Sequence, residues 1–144
     1  MKLVLNIEPK PQSRPRFARR GNFTTTYEDK DMKIWRNRCQ LLISYHYAGY
    51  EIMEGPLKAD VKFYIKPPQY VSKPKKNHAA LESEIMPVGK KPDIDNYEKA
   101  LYDSMSGIVF HDDGQIALHT VGKFYSNNPR IEVEVEEMEW VANR

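Results

Sequence analysis

At 144 residues, with 29% charged and 40% apolar side chains, the chain fits one domain, 1–144, around a single core. The lone Cys39 excludes an internal disulfide and a cysteine–zinc cluster, and no stretch reaches membrane-spanning length, so a reducing, cytoplasmic setting without a membrane partner is expected. The net charge of +2 hides an asymmetry: residues 1–38 hold ten Lys/Arg against four acids, and the tail from Arg130 holds two arginines against five glutamates. A basic front suits a polyanionic partner better than a small neutral one.

Met1–Ile7 is too short for a signal peptide, and Leu3, Leu5 and Ile7 alternate with polar neighbours as in a half-buried strand. Between Pro9 and Gly21 the prolines forbid a helix. Arg14, Arg16, Arg19 and Arg20 then cluster with Phe17 on an extended loop that can track a phosphate backbone, with Thr24–Thr26 adding hydroxyl donors. The plain alternative is a solvated basic loop.

From about Tyr27 to Tyr47 the pattern is helical. Ile34, Leu41, Tyr45 and Ala48 make the expected core stripe, with Trp35, Cys39 and Leu42 beside it. Cys39 reads as a buried, inert thiol and His46 as a surface group near the helix end. Leu57, Ala59, Val61, Phe63 and Ile65 alternate with polar residues in a second strand. Residues 66–92 hold five prolines and six lysines, with a short turn expected at Ala79–Leu81. The expectation is a flexible basic arm whose Lys73, Lys75, Lys76, Lys90 and Lys91 close on an anionic substrate, against the alternative of a solvated loop.

The densest stretch follows: Lys91-Pro-Asp93-Ile-Asp95-Asn96-Tyr-Glu98-Lys99, running on to Asp103. Tyr97, Ala100, Leu101, Ser104, Met105 and Ile108 repeat as one helical stripe that stops at Gly107. Asp95 with Glu98 reads as a capping box, and Asp95, Lys99 and Asp103 line one polar face. A cap and a surface ion pair would explain these residues without any chemistry. Asp112-Asp113-Gly114 then reads as a turn, and strands follow at Ile116–Phe124 and Ile131–Val135, the latter with a glutamate face.

If the Asp112/Asp113 turn approaches Asp93 and Asp95, three or four carboxylates share one site. Two carboxylates about 5 Å apart repel by roughly 3 kcal/mol at an effective dielectric near 20, so such a cluster needs a cation. All-oxygen ligands favour Mg2+, with Mn2+ as a substitute, and Tyr97 and Glu98 stand where an EF-hand needs other residues. Aspartate-held metal beside basic segments implies phosphodiester hydrolysis, with Lys99 neutralising charge in the transition state.

The run Lys91-Pro-Asp93-Ile-Asp95-Asn96-x-x-Lys99-x-x-x-Asp103, then Gly-Ile-x-x-x-Asp112-Asp113-x-Gln115, with Pro-Lys-Pro-x-x-Arg-Pro-Arg-Phe near the start, resembles the RusA-type Holliday junction resolvases of prophages and bacteria. The resemblance implies an α+β fold that dimerises and binds Mg2+ at acidic sites. With the four strands and two helices read above, the resemblance implies a small four-stranded mixed sheet packed by two main helices. By position, Asp93, Asp95 and Asp113 look like the essential carboxylates, Lys99 like the catalytic lysine, and Asp112 like a neighbouring ligand. The implied partner is branched DNA, a four-way junction, which a two-fold homodimer would nick in opposed strands. Alternatives are a flap or fork nuclease and a non-catalytic DNA-binding accessory protein. A DxD-type transferase is weakened by the lack of a nucleotide-binding loop.

Overall fold

A computed structural model of the chain describes residues 1–12, 16–20, 23–27 and 29–140, with 16–20 and 23–27 described in backbone only. Alternation of apolar and polar residues builds the main sheet. β1 (Lys2–Leu5), β4 (Leu57–Ile65), β5 (Ile116–Tyr125) and β6 (Arg130–Glu137) lie in the order β1-β6-β4-β5. β4 pairs parallel to β5 and antiparallel to β6, so the sheet is mixed and the fold α+β, as expected. One face buries Leu3, Leu5, Leu57, Ala59, Val61, Phe63, Ile131, Val133 and Val135. The period of two sends Lys58, Lys62, Glu132, Glu134 and Glu136 to the other face. There Lys62 stands opposite Glu132, and Lys2 reaches Glu132 at 3.3 Å. A separate two-stranded ribbon joins β2 (Arg16–Arg20) to β3 (Phe23–Tyr27).

Two helices, α1 (Lys30–His46) and α4 (Ile94–Met105), complete the core on the apolar face. α1 buries Trp35 and Cys39 as expected but not the Ile34, Leu41 and Tyr45 stripe beside them. Met32, Trp35, Cys39 and Ile43 face the sheet, whereas Ile34, Leu41 and Tyr45 are 49%, 73% and 78% exposed. This helix carries two apolar stripes, and periodicity alone does not rank them. The choice is made by partners: Trp35 Nε1 donates to Glu8 O at 2.8 Å, fixing which side meets the N-terminal strand. Cys39 is fully buried, and desolvation pushes its thiol up to about 11, which makes it inert as expected.

Residues 66–92, where a flexible arm is expected, carry more order than their composition indicates. α2 (Gln69–Ser72), a 3₁₀ turn (Lys75–Asn77) and α3 (His78–Glu82) fold over the end of β5. Val71, Leu81 and Val88 form a second small core with Tyr125. Val88 N donates to Lys123 O and Tyr125 N to Met86 O, both at 3.0 Å, so the segment borders the edge strand. Three sparse apolar residues suffice because they gather around Tyr125 at the end of β5.

Candidate active site

The site is organised by the N-terminus of α4. Asp93, rather than the expected Asp95, is the N-cap; its backbone is extended and its side chain makes no capping bond. Pro92 sets this boundary, because the residues around an X-Pro step resist helical geometry; the Lys91–Pro92 bond is cis. Asp95 falls in the first helical turn, where the helix dipole favours a negative charge. Both carboxylates are exposed. Lys99, one turn on, pairs with Asp103 at 3.8 Å, as the four-residue spacing requires. The expected Asp95–Glu98 capping box does not form, because Glu98 is turned towards β5 and is bonded there.

Basic segments reach this end of α4 from two sides. Gln12 N donates to Asn96 O at 2.9 Å, so the proline-rich N-terminal segment docks on the first turn of α4 immediately before its arginines. Arg14 lies outside the described residues. Arg16, Arg19 and Arg20 belong to β2 of the ribbon, not to an irregular loop; the prolines end before it and Arg16–Arg20 pairs with Phe23–Tyr27. On the other side, Lys123 Nζ donates to Lys90 O at 2.5 Å and Pro92 O at 2.7 Å, strapping down the residues that precede Asp93. Lys90 Nζ donates to Tyr70 Oη at 2.9 Å and sits 4.6 Å from the ring centroid. That bond lowers the Tyr70 pKa and raises that of Lys90. Lys73, Lys75, Lys76 and Lys91 are exposed.

The second acidic pair sits on a built turn. Asp112 accepts from Gly114 N at 3.1 Å and forms a capping box with Gln115. The Gln115 side chain accepts from His111 N and Asp112 N and donates to Met53 O and Gly55 O, riveting the turn to the chain ahead of β4. A Cβ on Gly114 would stand 2.7 Å from Asp112 Oδ2, so a larger residue there would push that carboxylate aside. One Asp112 oxygen is thereby committed to structure. Asp113 has no such bond among the described residues and lines a hollow of about 380 Å³ with Glu98, Tyr102, Ala117, Leu118 and His119.

Asp113 lies beside Tyr102 and contributes to raising its pKa, after burial and the charge of Glu98. Asp95 precedes Tyr102 by seven residues, about 10 Å along a helix axis at 1.5 Å per residue. The two acidic pairs thus share one helix edge without forming a single cluster. Among the described residues no group of three or more His, Cys, Asp or Glu is placed to hold a metal ion. The donor types suit a hard cation such as Mg2+; their spacing in this conformation does not make a cage.

A family model described as Endodeoxyribonuclease RusA matches residues 6–136. The chain belongs to this family. It is also similar to the uncharacterized protein YqaN of Bacillus subtilis (strain 168), at 33% identity over 138 residues, covering 96% of each chain. The matched region spans Asp93, Asp95, Lys99, Asp112 and Asp113 together with the basic segments on either side. Sequence reasoning missed three residues that the fold brings to this region: Glu98, His119 and Lys123. Glu98 carried a capping signal, and His119 and Lys123 sit among the alternating residues of a strand. Their contacts cross 21 to 33 positions of sequence, which no local pattern encodes. Among the described residues, no helix is long and apolar enough to cross a membrane.

Proposed function

We propose that this RusA-family chain is a Mg2+-dependent endonuclease that resolves four-way DNA junctions, acting as a homodimer that nicks opposed strands. The observation that carries the reading is one helix edge. It bears Asp93, Asp95 and Lys99 in its first turns and faces the Asp113 turn further along, with basic segments docked at its start. Asp93 and Asp95 would hold a cation at the start of α4, and Asp113, about two helical turns further along, would join them only if the turn before β5 closed on the ion, with Asp112 retained mainly as the turn's cap. The chemistry such an ion would supply is a lowered pKa for an attacking water and offset charge on the phosphate.

The chain's own groups do the rest. Lys99 supplies a positive charge one turn from Asp95, where charge grows on the phosphoryl oxygens in the transition state. Arg14, Arg16, Arg19 and Arg20, with Lys73, Lys75, Lys76, Lys90 and Lys91, hold the DNA backbone from both sides. Matched nicks need two identical sites related by a two-fold axis, which is what a homodimer presents.

Incubation with a synthetic four-way junction, a flap, a fork and a linear duplex, with Mg2+, Mn2+ or EDTA, tests this. Metal-dependent, symmetric nicking of the junction above all other substrates supports the reading; preference for the flap or fork replaces it with a branched-DNA nuclease of that type. The spacing of Asp95 and Asp113 favours one second reading, a non-catalytic DNA-binding accessory protein. Junction binding without cleavage under every metal would establish it.

A further inference from the structure

Glu98 is the one acidic side chain among the described residues that the fold buries, at 8% exposure. Burying a carboxylate is costly unless a strong donor meets it. The donor is His119, whose Nδ1 lies 2.6 Å from Glu98 Oε2. With the carboxylate ionised and the ring neutral, Nδ1 would carry the hydrogen and Nε2 would keep its lone pair. The His119 side chain is 54% exposed and lines the same hollow as Asp113. Tyr102 lines it too, with its buried hydroxyl beside the Glu98 carboxylate. A carboxylate that fixes one nitrogen of an imidazole, with the other nitrogen left facing a cleft, is how a general base is prepared.

We propose that His119, oriented by Glu98, is the general base that activates water for phosphodiester hydrolysis, a role that rests on the nuclease reading above. Nε2 takes a proton from a water as its oxygen forms a bond to phosphorus. The P–O bond to the leaving deoxyribose oxygen breaks, and its electron pair stays on that oxygen, which takes a proton from solvent. The imidazolium returns its proton to solvent, so water and a phosphodiester become a phosphomonoester and an alcohol. Glu98 is the positioning residue; it holds the ring's tautomer and touches no substrate.

The test compares wild type, His119→Ala, His119→Asn and Glu98→Gln in single-turnover cleavage of a four-way junction, alongside junction Kd and melting temperature. His119→Ala and His119→Asn should cleave about 10²–10³-fold more slowly, the usual worth of a general base, with Kd within about twofold. Added imidazole should restore part of the rate to His119→Ala and none to Glu98→Gln. Glu98→Gln should lose about tenfold, because an amide either accepts or donates and so releases the tautomer lock. Apart from activity, 15N NMR of the folded wild type should show His119 as the Nδ1–H tautomer, and Glu98→Gln should show a mixture. Cleavage by His119→Ala at the wild-type rate, or a loss that imidazole does not rescue, overturns the proposal while leaving the nuclease reading standing. A wild type that binds the junction and never cleaves it overturns both.

Discussion

β5 is flanked by two regions that handle charge differently: a closed end just past its last residue, and an open end along α4 and the Asp113 turn. At the closed end Arg130 grips Glu84 with two bonds of 2.6 and 2.8 Å, bonds Glu132, and stacks on Tyr64 at 4.0 Å. Ser126 Oγ donates to Glu84 at 2.5 Å and accepts from Asn128 N. The network holds Glu84 at a φ of 57°, a left-handed conformation that costs a residue with a Cβ about 1–2 kcal/mol. At the open end the carboxylates of Asp93, Asp95 and Asp113 stand without side-chain hydrogen bonds among the described residues. Charge whose partners lie within the chain pins 66–92 onto the sheet. Charge left without internal partners is available to a ligand.

Substitutions at the two ends should therefore separate activity from stability, and the largest effect is expected at the open end. Asp113→Asn should lower junction cleavage by about 10³-fold, at the upper end of what one electrostatic contact to a transition state contributes, while the melting temperature holds. A stability loss instead would place Asp113 with the structural group. At the closed end Arg130→Ala should cost about 2 kcal/mol, the scale of hydrogen bonds to a charged group, with cleavage per folded molecule unchanged.

That loss should also depend on pH. The Arg130 guanidinium holds the Glu84 carboxyl below its usual range, so its stabilisation is complete above the unfolded carboxylate range. It fades as pH falls through the lower folded value, and urea melts of wild type and Arg130→Ala should converge in acid. Parallel melts across the acid range would show that the gain is packing against Tyr64 rather than charge.

Exchanging Lys73, Lys75 and Lys76 together for alanine sharpens the comparison on the arm, which the closed end anchors and the open end would use. Each lysine that meets a phosphate contributes about 0.9 to the slope of log K against log salt, so the slope should shrink by up to about 2.7. An unchanged slope would make these three solvated surface groups. The smallest effect is expected from Gly114→Ala. Its Cβ would displace the Asp112 carboxylate from the turn, at about 1 kcal/mol, with cleavage falling only as far as Asp113 is misplaced.

Much of this was legible in the sequence, for a physical reason. Strands such as Leu57–Ile65 declare their buried face in every second residue, and α4 declares its stripe through Tyr97, Ala100, Leu101, Ser104 and Met105. The α1 stripe was not legible, since Ile34-Leu41-Tyr45 and Met32-Cys39-Ile43 satisfy the same period and only the sheet chooses between them. The same limit hid the folded course of 66–92, whose Val71, Leu81 and Val88 need Tyr125 from a distant strand. At the site, composition and spacing marked the aspartates and Lys99. Glu98 passed for a capping residue because its real partner, His119, lies on another element.

The most direct test maps nicks on both strand pairs of a four-way junction, with wild type and Asp113→Asn side by side in Mg2+. The account predicts paired nicks at symmetric positions on opposed strands for wild type, none in EDTA, and about 10³-fold slower nicking by Asp113→Asn at equal junction affinity. Equal nicking by both proteins, or a wild type that leaves the junction whole in Mg2+ and Mn2+, would contradict it.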